Sequence, residues 1–127
     1  MKLLEELGKV KSIMFGYEDH GILTLFLHLD FGGSGQGFGG MILSRSEVLP
    51  DHRYKQRGTL AGTDLVCRLL DLFGVQDLYQ IKNRYIIALR ETPSGDIIGL
   101  RLPRVDGDRE FLLRPWQEEM NKLIPAP

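Results

Sequence analysis

ILTLFLHLDF, residues 22–31, sets Leu23, Leu25, Leu27, Leu29 and Phe31 at every second position, with Ile22, Thr24, Phe26, His28 and Asp30 between them. A period of two belongs to a β-strand, so the segment reads as a strand with one wholly apolar face and one mixed face. Before it, residues 9–16 (KVKSIMFG) suit a second strand, and Tyr17–Gly21 (YEDHG) carries the Asp, His and Gly of a turn. The two strands and their turn make an antiparallel hairpin. Further upstream, Leu3, Leu4 and Leu7 stand at helical spacing with Gly8 as a stop, which predicts a short N-terminal helix.

Downstream lies GGSGQGFGG (32–40), six glycines in nine residues, and then the short apolar strand Met41-Ile42-Leu43. Residues 44–59 are polar and basic, hold Pro50, show no period and read as a long loop. In 60–73, Leu65, Val66, Leu69, Leu70 and Phe73 share one helical face; Thr59 or Thr63 is the expected cap and Gly74 the expected stop. Gln76–Gln80 adds a helical turn. Residues 84–90 and 96–102 flank a five-residue hairpin loop, and 114–124 form a terminal helix with Trp116 and Met120 on one side. The expected fold is therefore α+β: one domain over residues 1–127, a small antiparallel sheet with one main helix packed on it, and short terminal helices.

Composition narrows the function. The chain has 127 residues, 43% of them hydrophobic, which allows a proper core while leaving surface that self-association could cover. Sixteen Lys and Arg against 17 Asp and Glu give a formal charge of -1, without the broad positive field of a protein that tracks a long nucleic acid. The single cysteine, Cys67, excludes an intrachain disulfide, and its apolar helical neighbours predict a buried thiol. No apolar run is long enough for a membrane span, and the acidic start does not resemble a signal peptide; a cytoplasmic protein is expected.

The glycine segment formally contains Gly35-x-Gly37-x-x-Gly40. The dinucleotide fingerprint requires a helix after its last glycine, and Met-Ile-Leu follows here instead. The segment is either a flexible hairpin tip or a place where backbone amides approach a ligand or a neighbouring subunit, with Ser34, Gln36 and Phe38 adding contacts. His28 and Asp30 share a strand face but lack a third metal ligand. His20 and Asp19 could serve a phosphodiesterase, yet no nucleophile accompanies them, so catalysis is not expected and no cofactor is implied. Arg45, Arg53, Lys55 and Arg57 form one cationic group, and Arg101, Arg104, Arg109 and Arg114 another. Any single Arg reads as solvated surface; together they suit phosphate, which guanidinium groups grip in a planar fork. Tyr17, Phe38, Tyr54 and Phe111 are candidate platforms for a nucleobase.

Residues 17–40, YEDHGILTLFLHLDFGGSGQGFGG, resemble a family of small phage proteins with a similar turn, alternating strand and glycine segment, identified as the first family of anti-Thoeris sponges. The resemblance is strongest over 13–43. It implies a non-enzymatic protein that sequesters cyclic ADP-ribose-type nucleotides in the host bacterial cytoplasm and so silences TIR-based immunity. It also implies a homo-oligomer built from dimers, pockets near subunit contacts and a second pocket type for cyclic oligonucleotides. The chemistry of the residues assigns phosphate to Arg53, Arg57 and Arg109, the base to an aromatic (Tyr17, Phe38 or Phe111), and ribose hydroxyls to Asp19 or Gln36, with His20 and Ser34 beside them. The competing reading is an interaction module that docks on a host protein through Thr24, Phe26, His28 and the glycine segment.

Overall fold

In the computed structural model, which describes residues 2–19, 21–103 and 109–123, the alternating segment is the centre of the architecture. β2 (Ile22–Asp30) pairs antiparallel with β1 (Leu4–Asp19) on one side and β3 (Gly35–Ile42) on the other. β1 continues past β2 to pair with β6 (Tyr85–Arg90), which is followed by β7 (Gly99–Arg101) and β8 (Glu110–Leu112). The strand order is β3-β2-β1-β6-β7-β8, antiparallel throughout. The fold is α+β, as the sequence predicts.

One sheet face carries the core. Leu25, Leu27 and Leu29 of β2 are completely buried, joined by Val10, Phe38, Ile86, Ala88, Leu100 and Phe111 from the other five strands. α1 (Leu60–Phe73) supplies Leu65, Leu69, Leu72 and Phe73 to the same cluster. Each of the larger side chains removed from water contributes roughly 1.5–3 kcal/mol. Thr59 caps the helix, its Oγ1 accepting from the Gly62 amide and donating to the Leu43 carbonyl, both at 3.0 Å. Gly74 ends it in the left-handed region at φ 65°, which glycine adopts without a Cβ clash. A 3₁₀ turn (Leu78–Ile81) follows. α2 (Leu113–Leu123) buries Trp116 and Met120, and the Trp116 indole donates to Asp64 of α1 at 2.8 Å.

Three elements depart from the sequence expectation. The N-terminal helix is instead the first half of β1: Leu4 to Lys9 pair with Arg90 to Tyr85, and this long-range pairing overrides the helical spacing of three leucines. The stretch 44–59 is not a loop but a separate two-stranded ribbon, β4 (Ser44–Val48) with β5 (Tyr54–Gly58). The glycine segment is mostly strand, because β3 begins at Gly35. Cys67 is exposed on α1 rather than buried. No helix among the described residues is long and apolar enough to cross a membrane.

Candidate anion-binding surface

The ribbon grows from the end of the sheet that carries the β1–β2 turn. Tyr17 pairs with Leu23; the Leu23 amide donates to Ser44 Oγ at 3.0 Å, and Leu23 O accepts from the Leu43 amide at 2.9 Å. Ser44, itself buried, donates to Gln56 Oε1 at 2.5 Å, and Gln56 Nε2 donates to Ser46 Oγ at 2.8 Å. These bonds occupy one ribbon face and fix its root to the body.

The opposite ribbon face is charged. Arg45 stands directly across from Arg57, and Glu47 across from Lys55. Arg57 Nε donates to Glu47 Oε2 at 2.6 Å. That hydrogen bond, the charge of Arg57, and the smaller pull of Lys55 and Arg45 hold the Glu47 carboxyl below the usual glutamate range. Three cations thus surround one carboxylate. Like charges set opposite each other on a ribbon oppose its formation, and a bound anion relieves that cost. Among the described residues Arg45 makes no ion pair.

The expected site residues divide between distant places. Arg57 joins Arg45 and Lys55 on the ribbon, at the same end of the sheet as Tyr17, which is 66% exposed. Arg53 turns back to Asp51 at 2.5 Å at the ribbon tip, next to Tyr54, which is exposed. His20 and the Asp19 side chain lie outside the described residues, as does Arg104. Arg109 is not part of the group: its guanidinium packs against Gly74 at the C-terminus of α1, about 21 Å of helix away from the ribbon root. A cation there meets the negative end of the helix dipole. Phe38 and Phe111 are not platforms for a base. Both are buried in the core, edge to face with centroids 6.3 Å apart, and Phe111 also packs on Trp116 at 5.8 Å.

The glycine turn lies at the other end of β2, about 27 Å away at strand rise. Ser34 lines a shallow polar cavity of about 310 Å³ there, with Lys11, His28, Asp30 and Gly32–Gly35. Gln36 is structural: its Oε1 accepts from Arg90 Nη2 at 2.5 Å, and its Nε2 reaches the Gly95 carbonyl at 3.4 Å. Arg90, 7% exposed, also pairs with Glu6 and stacks on Phe31 at 5.1 Å. Arg90 and Lys11 stand outside the motifs that the sequence offers. Arg90 carries a usable signal, since it follows Ile86 and Ala88 at the inward positions of its strand; Lys11 carries none. Among the described residues no three His, Cys, Asp or Glu side chains form a metal site. Comparison with known protein families, with curated proteins and with solved structures finds no match to this chain, so the family suggested by residues 17–40 rests on those motifs alone.

Proposed function

We infer that the chain is a capture protein that binds a small phosphate-bearing nucleotide on the ribbon face and releases it chemically unchanged. The observation that carries this reading is the opposed pair Arg45–Arg57 with Lys55 beside it, an excess of positive charge held on a rooted ribbon. Guanidinium pairs of this kind suit a pyrophosphate, and the exposed Tyr17 at the same end offers a ring for a base. Together with the resemblance of residues 17–40, this points to cyclic ADP-ribose-type nucleotides as the ligand class, and to a phage protein acting against TIR-based immunity in the bacterial cytoplasm. On the same resemblance, the pockets would lie between copies of the chain.

Titration calorimetry with a cyclic ADP-ribose isomer tests it. Saturable binding is expected, with intact ligand recovered after heat denaturation of the complex. Arg45→Ala and Arg57→Ala are each expected to weaken binding about tenfold, the usual worth of one charge-assisted hydrogen bond. A cleaved product would replace this reading with an enzymatic one.

A second reading has its own support. Ile13, Met14 and Phe15 of β1, Leu70 of α1, and Leu78 and Tyr79 line an apolar groove of about 540 Å³ in which Phe15 and Tyr79 remain exposed. Such a surface suits a module that docks on another protein. Stoichiometric capture of one host protein, lost in Phe15→Glu, together with no thermal shift from any nucleotide, would favour it.

A further inference from the structure

The Arg57 guanidinium already has an anionic partner within the chain. Register places Arg45, Glu47, Lys55 and Arg57 on one face of the ribbon, while Ser44, Ser46 and Gln56 bond to one another on the other. Glu47 stands directly across from Lys55, yet it reaches diagonally to Arg57, where Oε2 accepts from Nε at 2.6 Å. Diagonal neighbours of an antiparallel pair are about 7–8 Å apart, within reach of long side chains. The Nε–H belongs to an edge of the guanidinium that a phosphate grips with two parallel hydrogen bonds. A carboxylate of the chain itself thus occupies the place of a phosphoryl oxygen.

The hold is a light one. In the pair, 46% of the Glu47 side chain and 49% of the Arg57 side chain are open to solvent. An ion pair in that setting contributes little, since water screens it and two long side chains must be held still. Arg45, Lys55 and Arg57 also outnumber the one acid of this face, so Glu47 leaves part of the positive field unanswered. While the face is empty, it offsets the repulsion between the opposed Arg45 and Arg57.

We propose that Glu47 is the ribbon's resident stand-in for its ligand: it holds Arg57 while the face is empty and gives way to a pyrophosphate group. The proposal rests on the capture reading above and names how that site is regulated. A singly charged anion that displaced Glu47 would exchange one carboxylate-like contact for another and gain nothing. A pyrophosphate also engages Arg45 and Lys55, and that surplus drives the exchange. Glu47 therefore keeps the face closed to small single anions and open to the more highly charged ligand.

Inorganic pyrophosphate, followed through the Arg57 Nε–H signal in NMR, tests the proposal. In the unaltered chain it is expected to shift that signal saturably, while acetate at the same concentration leaves it in place. Glu47→Gln and Glu47→Asp are expected to start from different positions and converge on the pyrophosphate-bound position of the unaltered chain. Both should bind pyrophosphate about two- to fivefold more tightly, the worth of an exposed ion pair. Glu47→Asp separates contact from charge, because it keeps the carboxylate but withdraws it from Arg57 by one methylene. Asp51→Asn, which neutralises a carboxylate at the ribbon tip, should bind as the unaltered chain does. Bound-state positions that differ would mean that Glu47 stays on Arg57, and they overturn the proposal. So does an unchanged affinity in Glu47→Asp, and in both cases the capture reading stands. If pyrophosphate moves the Arg57 signal in none of these chains, the proposal and the capture reading fall together. Should one Glu47 variant not fold, the other decides by its bound-state position.

Discussion

At Arg90 the inward face of β6 replaces an apolar side chain with a guanidinium, and four residues distant in sequence adjust to it. Glu6 and Gln36 accept its Nη hydrogens, Phe31 lies under its plane, and Gly8 leaves room for that ring, because a Cβ at Gly8 would stand 2.6 Å from Phe31. Its Nε is buried and has no hydrogen-bond partner. Arg90→Ala leaves Gln36 Oε1 without its donor and Phe31 uncovered, while Glu6 is exposed enough to rehydrate. The expected loss is about 1–3 kcal/mol, read as a lower urea midpoint at unchanged slope. Arg90→Lys should recover only part of this, since an ammonium cannot span both acceptors as a planar fork does; full recovery would assign the stability to charge alone. Gly37→Ala makes a similar test on the outer face, where the Phe26 ring lies across Gly37 and any Cβ would collide with it. Moving the Phe26 ring should cost about 1–3 kcal/mol, and adding Phe26→Ala should remove most of that cost; simple additivity of the two changes would disprove the contact.

Among the elements, α1 depends on Thr59 at both ends of its hydroxyl, so Thr59→Ala is expected to lower stability by about 1 kcal/mol or somewhat more, with Thr59→Ser close to neutral in denaturant melts. The ribbon carries a pH dependence of definite sign. Glu47 is held below its ordinary value, first by the Arg57 hydrogen bond, so the support it gives the ribbon is complete above the ordinary glutamate value and disappears as pH falls through the lowered one. An NMR titration of Glu47 should show a depressed midpoint that returns toward the ordinary value in Arg57→Ala; an unmoved midpoint would remove Arg57 as the cause. These elements were unequally legible in the sequence. α1, α2 and β2 announce themselves because burial stamps a period on their side chains. β3 does not, because glycine has no side chain to carry a period. The ribbon does not either, since both of its faces are polar. For the start of β1, the deciding partner is β6, some eighty residues downstream. The cationic group of the ribbon was legible as composition, but its facing Arg45–Arg57 pair appears only once the strand register is known. The burial of Phe38 and Phe111 is hidden in the sequence for the same reason: an aromatic on a strand without a side-chain period shows no side.

For the whole molecule, one core spans the main sheet and both helices, which predicts a single cooperative transition. Trp116, the only tryptophan, is buried between α2 and the sheet, so its emission should shift to the red on unfolding and coincide with the loss of far-ultraviolet circular dichroism. An earlier fluorescence change would mean that α2 leaves first, since its other tie to α1, the exposed Arg68–Glu119 pair at 2.7 Å, contributes little. The exposed thiol of Cys67 makes that departure observable without altering the sequence. It stands three residues along α1 from Asp64, to which the indole is bonded, and no other cysteine competes for reagent. A nitroxide attached there would quench the tryptophan while the two helices lie together, and the returning light would time their separation.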